Sequence, residues 1–306
     1  MIKITKKLLT IFGSSLFVST IVFVGILVNK KILVNAKNKS TIKYIEFNPT
    51  STILKRLMRE DISSHISNDK NKINWIHALS YLATKYGGNF KRYKKEHIDE
   101  YLKKIKNGEE VEISNKKLFD YYIKAYSSIL SGFLGEKEIK KKDGRTITEY
   151  GIKVSSPIPK GYPFTHYDDF GARRTFGFRR AHLGHDLFCA VGTPVLAVED
   201  GYVEIMGWNR FGGWRIGIRS HDKLRYWYYA HLRKDKPFHP SISEGMNVKA
   251  GQHIGYVGKT GYSEKENVNN LKRSHLHLGL QIIFDEEQKE GPNQIWISLY
   301  HIIKTI

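Results

Sequence analysis

Apolar positions change their spacing twice along this 306-residue chain, and each change marks a different kind of structure. Residues 8–28 contain no charged side chain and follow a short basic run that carries Lys3, Lys6 and Lys7. A stretch of that length can cross a bilayer as a helix. It exceeds the apolar region of a cleaved signal peptide, roughly 7–15 residues. Val34-Asn35-Ala36 is a poor small-residue cleavage site, so 8–28 reads as an uncleaved signal anchor and 1–7 as a short cytoplasmic tail. Lys30, Lys31, Lys37 and Lys39 on its far side weaken the positive-inside argument. Long domains translocate largely regardless of charge, which puts the bulk of the chain outside the membrane.

Residues 29–135 carry helical spacing and are expected to form an α-helical juxtamembrane region. Ser51 or Thr52 can cap a helix bearing Ile53, Leu54, Leu57, Met58 and Ile62. Trp75, Leu79, Leu82, Ala83 and Tyr86 continue the pattern until Gly87-Gly88. A third pattern runs from Phe90 through Ile105 to Asn107-Gly108, and Ser114 opens a fourth that ends before Gly132. The Trp and Tyr stripes read as helix packing rather than a glycan groove. His65, His77 and His97 lack ligand spacing.

Beyond about residue 135 the period becomes two. Asp143-Gly144 between two strand-like runs signals a hairpin. Strands are predicted at 195–198, 202–206, 214–219, 226–231, 254–257 and 275–283, punctuated by Asp200-Gly201 and Gly212-Gly213. Residues 136–306 are therefore expected to form a mainly antiparallel β domain.

Composition narrows the chemistry. The formal charge of +20 suits a polyanionic neighbour, although Lys-rich compositional drift accounts for much of it. No basic-aromatic reading motif accompanies the charge, so nucleic acid is not expected as a partner. Cys189 is the only cysteine, which rules out an intramolecular disulfide and a Cys-x-x-Cys zinc knuckle. Its apolar surroundings, Leu187 to Val191, mark it as an inert core thiol.

Three clusters in the β half carry metal-binding residue types: His182-Leu183-Gly184-His185-Asp186, Tyr228-Tyr229-Ala230-His231 and Ser274-His275-Leu276-His277. Catalytic zinc needs three protein ligands and an open position. His182 and Asp186 could supply two of them, and the His-x-His pair offers a third. Residues two apart on a strand face the same way, so one of His275 and His277 can sit on the metal with the other beside it. His185 alternates away, and His166, His221, His239, His253 and His301 lie in no motif.

In their order and context these clusters resemble the lysostaphin-type (LytM-like) zinc endopeptidases, the M23 peptidases that cut peptidoglycan peptides. The resemblance spans roughly 150–306 and includes Val191–Val195, Asp200–Val203, Val248–Gln252 and Gly258-Lys259-Thr260-Gly261. It implies a LytM, duplicated-hybrid-motif-like β fold with one Zn2+ held by His182, Asp186 and His277. His231 and His275 match the two catalytic histidines, in an order the sequence leaves open. The expected function is a membrane-anchored, single-pass zinc metalloendopeptidase acting on peptidoglycan through an activated water. The other reading is a non-enzymatic scaffold or regulator of the same fold, with the helical region as spacer or docking surface for an envelope protein. The sequence departs from the family in three places: Leu278-Gly279 follows His-Leu-His, Phe176 and Phe178 stand where some relatives have a Tyr, and 263–273 is long and charged.

Overall fold

A computed structural model describes residues 33–34, 41–45, 47–67, 69–176, 178–289, 291 and 293–306. The expected anchor at 8–28 lies outside the described residues. Among the described residues, no helix is long and apolar enough to cross a membrane.

Four helices form where the apolar spacing predicts them, with displaced ends. Helix α1 (Ser51–Ile66) is capped by Thr50 rather than Ser51 or Thr52, its hydroxyl accepting from the Ile53 amide. Helix α2 (Trp75–Tyr86) is capped by Asn74 and ends on left-handed Gly87, φ 60°. The third pattern splits into a short 3-10 turn, Phe90–Arg92, and α3 (Lys95–Asn107). A tertiary contact overrides propensity there: the Tyr86 hydroxyl accepts from the Lys94 amide at 2.9 Å and meets His97 Nδ1 at 2.5 Å. Helix α4 (Lys116–Leu130) is capped by Asn115, one residue after the expected Ser114.

The strands are β1 (Leu33–Val34), β2 (Thr41–Ile45), β3 (Leu134–Lys140), β4 (Thr146–Ile152), β5 (Thr165–His166), β6 (Arg173–Phe176), β7 (Phe178–Ala181) and β8 (His185–Phe188). They continue as β9 (Pro194–Leu196), β10 (Gly201–Asn209), β11 (Gly213–Ser220), β12 (Arg225–Ala230), β13 (Asn247–Val248), β14 (His253–Tyr256), β15 (Leu276–Ile282) and β16 (Ile295–Ile297), before a last turn of helix, α5 (Tyr300–Ile303). Strands β3 and β4 make the hairpin signalled by Asp143-Gly144, with Gly144 at φ 84°. The main sheet runs β1-β2-β16-β15-β12-β11-β10-β13, and β8 also pairs with β15. All its pairings are antiparallel except β2 with β16. Residues 41–45 thus do not belong to the helical region expected over 29–135. Their Thr, Ile and Tyr favour extended backbone, and the edge of β16 gives them a partner.

Strand β15 organises the site. Leu276, Leu278 and Leu280 are fully buried in the core with Trp227 and Tyr229. The alternate positions, His277 and Gly279, therefore face the opposite side. Register places His277 across from Ala230 on one neighbour and across from Asp186 on the other.

The helices dock at the other end of the sheet. Arg225, 2% exposed and at the start of β12, donates to Glu199, to the Ser128 carbonyl and to Ser131 Oγ. Trp227 Nε1 donates to the same Glu199. Buried Asp61 on α1 accepts from the Trp75 amide and from the Tyr150 hydroxyl of β4, at 2.9 and 2.8 Å. Buried charges persist only when paired and hydrogen-bonded, and each of these is.

Candidate metal centre and active site

His182 leaves β7 and Asp186 lies on β8, so a tight crossing between two strands brings them together. Gly184 sits at the crossing, where a Cβ would overlap His277 Nε2 and come within 2.8 Å of the Leu278 carbonyl oxygen. Only a residue without a side chain lets the crossing pass that close to β15.

The result is a convergence of three donor atoms. His182 Nε2 is 3.0 Å from Asp186 Oδ1, His277 Nδ1 is 2.9 Å from that oxygen, and the two ring nitrogens are 3.1 Å apart. Ligands around tetrahedral zinc at bond lengths near 2.0–2.1 Å are separated by about 3.3 Å. The spacing fits a small cation with little adjustment. Two imidazoles and a carboxylate suit zinc rather than calcium or magnesium, which take oxygen ligands. His182, Asp186 and His277 are the group of potential metal ligands found among the described residues.

Electrostatics agree with that fit. Burial would raise the Asp186 carboxyl, but hydrogen bonds from His182 and His277 hold it far below the usual carboxylate range. Burial opposes charging of His182, yet its hydrogen bonds with Asp169 and Asp186 outweigh burial and raise it to about 9. A metal cation can take the place that a proton on His182 would hold beside these carboxylates.

Asp169 and Arg174 were not legible in the sequence. His182 Nδ1 faces Asp169 Oδ1 at 3.2 Å, completing a carboxylate–histidine–ligand chain. Arg174 donates to Asp169 at 2.5 Å and to Asp186 Oδ2 at 3.4 Å. Asp169→Asn is expected to lower zinc affinity by about 10–100-fold without removing a ligand. Competitive titration with a chelator measures it, and unchanged affinity would reduce Asp169 to a packing role.

The two further histidines face this centre. His231 and His275 have ring centroids 4.8 Å apart, and His231 lies 5.7 Å from His277. His231 Nδ1 donates to the Thr260 carbonyl at 2.8 Å, and His275 Nδ1 donates to the Arg273 carbonyl at 3.0 Å. Each bond puts the ring proton on Nδ1 when the imidazole is neutral. His275 Nε2 is 3.7 Å from Asp186 Oδ1. Burial first, then His275 and His277, push His231 well below the usual imidazole range, so it stays neutral.

His231 has φ +60°, a conformation that non-glycine residues hold only when their surroundings impose it. Its amide donates to the Gly212 carbonyl and its carbonyl accepts from the Gly258 amide. A Cβ on Gly261 would come 2.9 Å from His231 Nδ1. Gly212-Gly213 and Gly258–Gly261 are thus the cradle of one ring. Tyr262 lies on the far side of His231, centroids 5.6 Å apart, a neighbour the motifs did not reveal.

The remaining histidines stand elsewhere. His185 points to the opposite face of β8, where its Nε2 meets His166 Nδ1 at 2.7 Å and burial lowers it to about 3. His253 is half-buried against His239 rather than freely solvated. Cys189 is free and buried, and burial raises its thiol. The 263–273 loop is pinned down: Asn267 accepts from Trp214 Nε1 and the Asp235 amide, and Asn270 donates to the Tyr262 carbonyl. Its charged side chains, Glu264, Lys265, Glu266, Lys272 and Arg273, remain exposed.

Residues 180–290 match the profile of Peptidase family M23. The chain is 42% identical over 124 residues to the L-Ala–D-Glu endopeptidase of Bacillus subtilis strain 168, covering 40% of this chain and 36% of that protein. It is 41% identical over 83 residues to lysostaphin of Staphylococcus simulans, covering 27% of this chain and 16% of that one. The chain therefore spans little more than a third of the first relative's length and less of the second's. The crystal structure of lytM from Ruminococcus gnavus ATCC 29149 shares the fold, with TM-score 0.52 and 24% identity over 81% of this chain and 89% of that one.

Proposed function

We propose that this chain, whose residues 180–290 match Peptidase family M23, is a zinc metalloendopeptidase that hydrolyses peptide bonds in peptidoglycan. The observation that carries the proposal is the meeting of His182 Nε2, Asp186 Oδ1 and His277 Nδ1 within 3.1 Å, beside two imidazoles of fixed tautomer. The substrate class follows the name of a further relative, the Peptidoglycan DD-endopeptidase ShyC of Vibrio cholerae, 39% identical over 82 residues. We further propose that residues 8–28 hold the protein in the cell membrane by a single pass, with the peptidase outside. That part rests on 21 residues without a charge.

His182, Asp186 and His277 would hold the zinc, which when bound supplies a Lewis acid that polarises a peptide carbonyl and makes water more acidic. Asp169 orients the His182 ring through Nδ1, and Arg174 holds both carboxylates in place. His231 and His275 each keep Nε2 free of the backbone. One, through a lone pair on Nε2, takes the proton from the attacking water and delivers it to the departing amine; the other, carrying a proton on Nε2, steadies the developing oxyanion. Thr260 positions His231: its carbonyl accepts from Nδ1, while its hydroxyl ties it to Leu232 at 2.6 Å. The base must start neutral, a state that burial favours for His231.

The test compares residues 31–306 of the wild type with His277→Ala and His231→Ala, counting zinc and assaying amine release from purified peptidoglycan. The wild type is expected to carry about one zinc, as a three-ligand catalytic site does. His277→Ala is expected to lose zinc and cleavage together. His231→Ala is expected to keep zinc and lose about 10²–10⁴-fold in rate. A wild type that binds no zinc and releases no amine would move the protein to the scaffold class.

A further inference from the structure

Two arginines flank the imidazoles without a carboxylate to neutralise them. Arg180 lies on β7 two residues before His182. Its guanidinium carbon is 4.9 Å from the Tyr262 ring centroid and 5.5 Å from that of Phe211, and it donates to the Tyr262 hydroxyl. The Tyr262 ring lies beside His231, tilted by 33°. Arg180 Nε is buried and has no hydrogen-bond partner. On the other flank, the Arg273 carbonyl orients His275, while its guanidinium lies 4.1 Å from the Phe188 ring centroid. Phe188 in turn sits 5.2 Å from His275. Arg273 otherwise reaches only a hydroxyl, Thr165 Oγ1 at 3.4 Å.

Several other arginines of the domain are neutralised. Arg174, Arg210, Arg219 and Arg225 each pair with a carboxylate. The acidic groups at the rim are already engaged, Asp169 by Arg174 and Glu264 by Arg210. Among the described residues, Arg180 and Arg273 have no such pair. A guanidinium laid on an aromatic face is held in place with its edge donors outward, and its planar fork matches a carboxylate. Two such forks, one on each side of the reacting centre, are a reader for negative charge.

Building on the endopeptidase reading, we propose that Arg180 and Arg273 bind carboxylates of the substrate beside the scissile bond. The site then selects an acidic peptide over an uncharged glycine bridge. Arg180 carries the larger share, because two rings, Tyr262 and Phe211, hold its guanidinium in place.

The experiment uses zinc-loaded protein with L-alanyl-D-glutamyl-L-lysine amide and the same peptide with its glutamyl carboxylate converted to an amide. Pentaglycine is the uncharged reference. Binding is read by calorimetry and cleavage is followed in parallel. A charge-assisted pair predicts that the wild type binds the acid about tenfold tighter than the amide. Arg180→Gln is expected to cut that preference to about twofold, leaving the amide's Kd unchanged and raising KM for the acid with kcat intact. Arg180→Lys keeps the charge but loses the fork, and retains part of the preference. Arg273→Gln removes a smaller part. Equal binding of acid and amide by the wild type would overturn the proposal, as would a variant that weakens both peptides alike. An acid preference without cleavage would sustain carboxylate recognition and retire the endopeptidase reading. Cleavage without preference would do the reverse.

Discussion

Gly184→Ala is expected to empty the metal site although it alters no ligand. The backbone there does not need glycine's conformational range, so the effect is steric. A Cβ would overlap His277 Nε2 and press on the Leu278 carbonyl oxygen at 2.8 Å. Neither side can retreat: β8 and β15 are hydrogen-bonded with His277 opposite Asp186, and Leu278 is buried with no exposed surface. The His277 ring must move instead, and it faces Asp186 and His182 at 2.9 and 3.1 Å. A displacement of about 1 Å in a catalytic constellation costs on the order of 10²-fold in rate. Losing one of three ligand positions should also take bound zinc below about one in ten chains. Metal analysis and amine release check this, with thermal unfolding as the control for a folded domain. Full zinc content with wild-type cleavage would mean that the crossing is looser than its contacts indicate.

That glycine shows how much of the site was legible. His182, Asp186, His231, His275 and His277 could be picked from residue type, period-two spacing and the resemblance, and the fold brings all five to one place. What spacing could not supply was the layer behind them. Asp169 precedes His182 by 13 residues across a bend and the β6–β7 hairpin. It arrives because the His182 amide bonds the Ala172 carbonyl and the Gly171 amide bonds the His182 carbonyl. Such a crossing leaves no periodic trace. The glycines around His231 were visible as turn signals, but their work as a cradle for one ring appears only in three dimensions.

The helical half was legible for a simpler reason: amphipathic spacing survives whatever the tertiary structure does. Its errors fall where a side chain competes with local preference. Tyr86 breaks the third helix at Lys94, and Asn74 and Asn115 take over capping with side-chain oxygens placed to meet the third amide beyond them. Strand β2 was missed because five residues carry too little alternation, and pairing with β1 and β16 makes them a strand.

A fragment of residues 146–306 is expected not to fold as a stable peptidase, in contrast to a removable cover over the active site. Arg225, which bonds the end of α4, begins β12, whereas His231 follows its last residue. Six residue steps of strand at 3.3 Å each put about 20 Å between them. The neighbours that orient His182, His231 and His275 come from Asp169, Arg174, Thr260 and Arg273. None of these lies on α1 to α4. Truncation would instead strip β4 of its partner β3, leave Arg225 without Ser128 and Ser131, and separate Tyr150 from Asp61. It would also remove the helices whose apolar faces share one core with Leu299, Ile302 and Ile303 of the β half. Breaking buried charge networks of this kind costs about 3–5 kcal/mol, a large part of the roughly 5–15 kcal/mol that keeps a domain folded. Thermal unfolding of 146–306 should therefore show no sharp transition where residues 31–306 show one, and amine release should fall rather than rise. A fragment that melted cooperatively and cut faster would make the helices a lid; unfolding with loss of activity makes them part of the scaffold that holds β12 and β15 in register.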